Sequence, residues 1–231
     1  MEIHGFNKTT LLDYPEHIAA TIFTGGCNFR CPFCHNSELV LNPKEQPVID
    51  ETEVFDYLEK RRGVLQGVCI TGGEPTLQSD LICFIRKVKE MGYLVKLDTN
   101  GYRPDILWQL LEEGLLDYAA MDIKASKENY VKAAGVRQLE LARIEESVCI
   151  LKSSTIPYEF RTTVVKGIHE KEEFDAIGRW LAGCSAYYLQ AFRENENVMQ
   201  DGFSAFACSE MEKMADIARK YIDKVSLRGV E

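Results

Sequence analysis

The chain has 231 residues, of which 45% are hydrophobic and 27% charged, and its formal net charge is −9. Such a composition is ordinary for a globular protein that is long enough to bury one core. The negative net charge argues against nucleic acid as the main partner, because phosphate binding needs local positive charge. The sequence shows neither an apolar run of membrane-spanning length nor a signal-peptide pattern at its start. We therefore expect a cytoplasmic protein that has no membrane or nucleic-acid partner.

Strand and helix patterns alternate along most of the chain. Residues 1–17 predict a lead-in strand and a turn, and the apolar run 18–23 predicts a first strand that is buried on both faces. Ser79, and Ser209 together with Glu212, are predicted to cap two of the helices. The later strands are predicted at 68–70, 94–97, 118–123, 158–165, 187–189 and 224–227, and the helices begin near residues 50, 79, 104, 138, 171 and 209.

This alternation predicts βαβ units and therefore a parallel sheet with right-handed crossovers. About six βα units can be recognised, which is too few for an eightfold barrel. We find no internal repeat, low-complexity segment or linker. The predicted fold is a single α/β domain over residues 1–231, an open, partial (β/α)6 TIM-like barrel whose open side could admit a protein loop.

A dense cysteine motif follows the first predicted strand. Cys27, Cys31 and Cys34 lie within eight residues, and iron–sulfur clusters are held by cysteine thiolates at such close spacings. A four-iron cluster bound here would leave one iron for a distant cysteine or for a small molecule. The other five cysteines are scattered singly, mostly in apolar settings, and are predicted to be core residues.

Zinc is the main alternative for this motif. His35 would complete a Cys3His ligand set, which is a common structural zinc site. However, Cys34 and His35 are adjacent, and joint tetrahedral ligation by neighbouring residues is awkward. An iron–sulfur cluster is therefore the favoured interpretation. The alternative of a different class is a zinc-stabilised or electron-carrier protein that has no catalytic activity.

Further polar groups follow the ends of later predicted strands, where the loops of a barrel gather at one face. Glycines such as Gly72 and Gly73 let a ligand approach the backbone, and the carboxylate of Glu74 can accept hydrogen bonds from an ammonium group. Period-two spacing places Asp122 and Lys124 on the same side of their strand. For each group taken alone, a turn or an exposed ion pair is the simpler interpretation.

The cysteine spacing C-x3-C-x2-C, with Phe33 before the last cysteine, resembles the signature of the radical S-adenosylmethionine (SAM) enzymes. The flanking segments 5–8, 13–15 and 26–36 resemble a narrower group, the glycyl-radical-enzyme activases of the pyruvate formate-lyase activating enzyme type. Within that group the chain is most similar to the activating proteins of anaerobic ribonucleoside-triphosphate reductase. The similarity is strong at the cysteine motif, good through residue 124 and weak beyond about residue 165.

The resemblance implies that Cys27, Cys31 and Cys34 hold a [4Fe-4S] cluster whose fourth iron is chelated by SAM. Phe33 would lie against the adenine, residues 72–74 would bind the methionyl amine, and Lys124 would lie near the carboxylate. A monovalent cation held partly by the two aspartates of the site is a further implication. The residues assigned to the SAM site are Phe33, Gly72, Gly73, Glu74, Asp98, Asp122, Lys124, Arg161 and Arg193. For Arg161, a structural ion pair is the competing interpretation.

The implied reaction is reductive cleavage of SAM to a 5′-deoxyadenosyl radical, which takes a hydrogen atom from a glycine of a partner protein. No side chain is required to act as a general base. The implied partners are a glycyl radical enzyme, with anaerobic ribonucleotide reductase as the expected client, and a flavodoxin or ferredoxin-type electron donor. Within the same chemistry, the alternative is a small-molecule radical SAM enzyme such as 7-carboxy-7-deazaguanine synthase.

Overall fold

A computed structural model describes residues 1–195 and 197–230. In these residues the chain forms one eight-stranded sheet, in which the strands lie side by side in sequence order. The first strand is antiparallel to the second, and all later neighbours pair in parallel. The strands are β1 (Ile3–Thr10), β2 (Ala19–Thr24), β3 (Gly67–Gly72), β4 (Leu94–Thr99), β5 (Tyr118–Asp122), β6 (Tyr158–Val164), β7 (Tyr187–Ala191) and β8 (Val225–Arg228).

Helices connect the parallel strands and bury their apolar faces in the same core as the sheet. In the later part of the fold, α4 packs against α6 and α7 packs against α8. No helix in the described part of the chain is long and apolar enough to cross a membrane. The helices are α1 (Ser37–Leu41), α2 (Glu51–Lys60), α3 (Leu81–Glu90), α4 (Pro104–Glu112), α5 (Tyr130–Ala134), α6 (Leu141–Ser153), α7 (Glu173–Leu181) and α8 (Cys208–Ala218).

The predicted fold class, an α/β partial barrel, is confirmed. β2 to β7 provide the six βα units that the sequence indicates, and β8 extends the sheet by one strand. Among the described residues, β1 and β8 form the two edges of the sheet and do not pair with each other. The sheet is therefore open along one side.

Two predicted helix caps are wrong. α3 begins at Leu81 after Asp80, whose side chain forms no capping bond, so Ser79 is not the capping residue. α8 begins at Cys208, and the carboxylate of Glu210 accepts a hydrogen bond from the N–H of Ala207 at 2.8 Å. Capping motifs recur by chance in polar sequence, and the packing of the helix decides which residue becomes its first.

The prediction that all single cysteines are core residues is also only partly right. Cys69 on β3 and Cys184 are buried, but Cys83, Cys149 and Cys208 are exposed. The three exposed cysteines lie on α3, α6 and at the start of α8, on faces that point away from the core. An apolar setting in sequence does not fix which helical face a residue occupies, because the buried stripe covers only part of the helix.

Candidate active site

A cavity of about 290 Å³ lies at the carboxyl ends of the parallel strands. It is enclosed by the loops that follow β2, β3, β4 and β5, together with side chains of β6 and β7. The predicted site residues that line it are Cys27, Cys31, Phe33, Cys34, Gly72, Gly73, Glu74, Asp98, Asp122, Lys124 and Arg161. Residues from five separate parts of the sequence therefore converge on one space.

The cysteine loop is held from two sides by distant parts of the chain. On one side, the N–H of Arg30 donates to the carbonyl of Ala134 at 2.9 Å. Gly135 has a φ of 65°, and a Cβ at this position would collide with the Arg30 carbonyl, so glycine is required there. On the other side, the N–H of Met199 donates to the carbonyl of Cys34 at 3.1 Å. Distant parts of the chain thus fix the position of the loop.

Burial keeps the three thiols of this loop protonated near neutral pH. For Cys27, burial and then the nearby Glu74 carboxylate raise the thiol pKa to about 12. Burial raises the pKa of Cys31 to about 11, although Lys124 opposes the shift, and burial also raises the pKa of Cys34. Metal ligation requires thiolates and so releases these protons. The soft donor set and its burial fit an iron–sulfur cluster.

The geometry does not favour the alternative of a Cys3His zinc ion. Across residues 1–195 and 197–230, no three Cys, His, Asp or Glu side chains are arranged to hold a single metal ion. His35 instead forms a hydrogen bond from Nε2 to the carbonyl of Arg193 at 2.6 Å, and its ring stacks on Phe192. Three thiols around a shared cavity fit a cluster, in which each sulfur binds a different iron.

The loops after β2 and β3 are in direct backbone contact. The N–H of Gly73 donates to the carbonyl of Thr24, and the N–H of Glu74 donates to the carbonyl of Gly26, both at 2.8 Å. A Cβ on Gly73 would collide with the Gly26 carbonyl. Glycine at position 73 is therefore needed for the close approach of the two loops, which places the Gly-Gly-Glu segment beside Cys27.

The Glu74 carboxylate joins the loop after β3 to the loop after β4. It is 1% exposed and accepts hydrogen bonds from the hydroxyls of Thr76 and Thr99 and from the N–H groups of Thr76 and Asn100. Burial raises its pKa, and these hydrogen bonds oppose the shift. A carboxylate offers about four acceptor positions, so most of its capacity is used within the chain. Its contact with the methionyl amine stays a prediction.

A row of alternating charges runs across β4, β5 and β6 and forms one wall of the cavity. Lys124 Nζ lies 3.0 Å from Asp122, and Arg161 Nη2 lies 2.9 Å from the same carboxylate. Arg161 Nη1 lies 3.2 Å from Asp98, which also pairs with Lys96. We call Lys96, Asp98, Arg161, Asp122 and Lys124 the charge row; its three cations and two anions leave one net positive charge.

The charge row keeps both of its carboxylates ionised. Burial would raise the pKa of Asp122, but Arg161 and Lys124 outweigh it and lower the pKa to about 2. Likewise, Arg161 and Lys96 outweigh burial at Asp98 and lower its pKa. The guanidinium of Arg161 thus bridges the two carboxylates that the resemblance assigns to a monovalent cation. The predicted cation therefore has competition from a side chain, and its site stays a prediction.

Arg193 is the one predicted site residue that does not line this cavity. It follows β7 and lines a separate groove with Phe206 and Val230. The structure adds residues that were not predicted as site residues: the cavity is also lined by Phe29, His35, Asn36, Val40, Thr71, Thr99, Asn100, Thr163 and Gln190. Lys96 does not line the cavity but pairs with Asp98, which does. For Lys96 the available indication was its period-two spacing from Asp98, the same pattern that drew attention to Asp122 and Lys124.

Comparisons with known proteins agree with this architecture. The model of the Radical SAM superfamily matches residues 21–181. A "Putative glycyl-radical enzyme activating enzyme" of Methanocaldococcus jannaschii is 32% identical over 236 residues, which cover 99% of this chain and 96% of that protein. A "Probable GTP 3',8-cyclase" of Thermococcus kodakarensis is 32% identical over 157 residues, which cover 67% of this chain and 50% of that protein.

Solved structures share the fold at low sequence identity. SuiB of Streptococcus suis bound to S-adenosylmethionine has a TM-score of 0.68 at 14% identity, over 89% of this chain and 49% of that chain. Native anSMEcpe with bound AdoMet has a TM-score of 0.61 at 14% identity, over 89% of this chain and 62% of that chain. At such identities the likeness shows the fold alone.

Proposed function

Since this chain belongs to the radical SAM superfamily, we propose that it is an activating enzyme that forms a glycyl radical in a partner protein. The observation that carries the proposal is the similarity to the M. jannaschii relative, which extends over 99% of this chain and 96% of that protein. The unclosed sheet, in which β1 and β8 do not pair among the described residues, is compatible with a protein substrate. The client we propose is an anaerobic ribonucleoside-triphosphate reductase.

The family uses a [4Fe-4S] cluster and SAM, and when bound they supply a 5′-deoxyadenosyl radical that can take a hydrogen atom from a glycine Cα. In our proposal, Cys27, Cys31 and Cys34 hold the cluster, and the braced loop fixes their positions. Phe33, which lines the cavity and is buried beside His169, is the residue we propose to pack against the adenine of SAM. No side chain has to move a proton, because the glycine loses a hydrogen atom and not a proton.

Lys124 is the residue we propose to bind the carboxylate of SAM. It lines the same cavity as the three cysteines, and its positive charge opposes the effect of burial on the pKa of each of the three thiols. Burial would lower its pKa, but Asp122 outweighs burial and raises it, so the ammonium stays charged at working pH. The unbalanced positive charge of the row then favours an anionic group in the cavity.

Replacing Lys124 with methionine is expected to raise the Kd for SAM by roughly tenfold to a hundredfold, because a hydrogen bond to a charged group contributes about 1.5–3 kcal/mol. The measurement is calorimetric titration of the anaerobically reconstituted protein, with the cluster absorbance recorded in the same sample. Lys127→Met is the matched control, because Lys127 pairs with Glu145 on an exposed surface. Loss of the cluster or of the fold in Lys124→Met would instead make Lys124 a structural residue.

The test of the proposed function uses the reconstituted, reduced protein with SAM and the anaerobic reductase. We expect formation of 5′-deoxyadenosine together with the electron paramagnetic resonance (EPR) doublet of a glycyl radical on the partner. A partner whose glycine is replaced by alanine is the control and should give no doublet. A flavodoxin or ferredoxin-type protein is the proposed physiological electron donor, and it should replace the chemical reductant in the same assay.

A small-molecule substrate is the second candidate, because the T. kodakarensis relative carries the name of a GTP cyclase. The same protein is therefore incubated with GTP or with a free pterin, the kind of substrate that 7-carboxy-7-deazaguanine synthase would take, and without any partner protein. Conversion of either compound, with no glycyl radical on the reductase, would contradict the activase proposal and support the small-molecule alternative.

A further inference from the structure

The side chain of Asn100 points at a cluster-binding sulfur. Asn100 follows β4, is 5% exposed and lines the cavity. Its Nδ2 lies 3.8 Å from Sγ of Cys27 and 2.8 Å from Oδ1 of Asn28, so the amide donates to both. A distance of 3.8 Å lies within the range for a hydrogen bond to sulfur. The proposed function gives this amide no role.

The orientation of the Asn100 amide is fixed by the other bonds of the residue. Oδ1 accepts a hydrogen bond from the N–H of Tyr102 at 3.0 Å. The reversed amide would place an NH2 group against that N–H, which would leave two donors facing each other. The backbone N–H of Asn100 is held by Glu74 at 2.6 Å. The donor end of the amide is therefore directed at Cys27.

A hydrogen-bond donor directed at a ligating sulfur changes the relative stability of the oxidised and reduced forms of the cluster. One-electron reduction adds a negative charge to the cluster, and part of this charge resides on the sulfurs. An N–H dipole aimed at a sulfur stabilises the reduced form more than the oxidised form, so it raises the reduction potential. Sγ of Cys27 also accepts a hydrogen bond from the N–H of Phe29 at 3.3 Å. The negative charge of the nearby Glu74 carboxylate has the opposite effect and lowers the reduction potential.

We propose that Asn100 is a positioning residue that raises the reduction potential of the cluster through its N–H···S hydrogen bond to Cys27. The inference rests on the cluster of the radical SAM superfamily and does not depend on the identity of the substrate. In the step concerned, one electron passes from a low-potential donor to the cluster, and no bond forms or breaks.

Asn100→Leu has a similar size and no donor. We expect the equilibrium constant for one-electron reduction to fall about tenfold, which corresponds to a midpoint potential about 59 mV more negative. Asn100→Asp removes the donor, adds a negative charge and keeps the acceptor for Tyr102, so it should shift the potential in the same direction and further. The measurement is a dithionite titration of the reconstituted protein, monitored by the EPR signal of the reduced cluster.

Asn129→Leu is the matched control. Asn129 does not line the cavity, and its amide donates to the carboxylate of Glu173 at 2.6 Å and not to a sulfur. The cluster of this variant should have the potential of the unmodified protein. Unchanged potentials in both Asn100 variants, or an equal shift in Asn129→Leu, would overturn the inference. If Asn100→Leu does not take up the cluster, the inference is tested by Asn100→Asp alone, and an unchanged potential in that variant would overturn it.

Discussion

Replacing Cys31 with alanine is expected to reduce the formation of 5′-deoxyadenosine from SAM to the level of the cluster-free chain. Cys31 is the middle residue of the motif and is 6% exposed. The two thiolates that remain cannot hold a cubane cluster in a defined orientation. The measurements are the iron and sulfide content, the cluster absorbance and the yield of 5′-deoxyadenosine after anaerobic reconstitution.

Cys149→Ala is the control for this experiment. Cys149 is exposed on α6 and does not line the cavity. Its replacement should leave the iron content and the SAM cleavage unchanged, which excludes a general effect of removing a thiol. If Cys31→Ala retained SAM cleavage, the assignment of Cys31 as a cluster ligand would be wrong.

Replacing Arg161 with methionine is expected to destabilise the fold by about 3 kcal/mol, the lower end of the range for buried pairs, because the change removes one partner from ion pairs that are only partly buried. Asp98 and Asp122 both depend on this guanidinium, and each would keep only a lysine as its cationic partner. For a chain of this length, the melting temperature should fall by roughly 10 °C. The measurement is thermal unfolding of the reconstituted protein by circular dichroism.

The same variant should also change the response to acid. In the folded protein the pKa of Asp122 is lowered to about 2, below its value of about 3.9 in an unfolded chain. Asp122 therefore contributes stability that is present above about pH 4 and is lost as the pH falls towards 2. Without Arg161 its folded pKa rises, so this contribution shrinks and acid unfolding should begin at a higher pH.

Arg143→Met is the control for the Arg161 variant. Arg143 pairs with Glu140 on an exposed surface, where an ion pair contributes about 0–1 kcal/mol. The melting temperature should then change by no more than about 3 °C. An equally small effect in Arg161→Met would show that the charge row does not stabilise the fold. A normal fold with weakened SAM binding would instead support the direct SAM contact that the sequence predicts for Arg161.

Local patterns in the sequence were sufficient to predict the fold class and to identify the cysteine motif. The segment 18–23 is nearly all apolar, and this pattern arises because a parallel strand is covered by helices on one face and faces the barrel interior on the other. The cysteines lie close together in sequence, so their convergence on one centre requires only a loop. The fold class follows from these short-range features, whereas the family and its cofactors follow from the resemblance of the cysteine motif to the radical SAM signature.

The hydrogen-bond and ion-pair partners of the polar site residues could be identified only from the tertiary structure. Arg161 meets Asp98 across 63 residues of sequence, and Glu74 meets Asn100 across 26. Such contacts depend on strand register, sheet twist and the closeness of neighbouring loops, none of which is encoded within a single segment. For the same reason the sequence could propose Arg161 either as a SAM ligand or as an ion-pair partner but could not choose between them.

The sequence by itself determined the alternation of strands and helices, the open barrel and the position of the cysteine loop after β2. These features depend on hydrophobic periodicity and local spacing, which are properties of short segments. Only the tertiary structure decided that Glu74 joins two loops, that Arg161 lies between two carboxylates and that Asn100 faces Cys27. Each of those contacts joins side chains on different strands or loops, and their geometry exists only after the sheet has formed and brought the strand ends together.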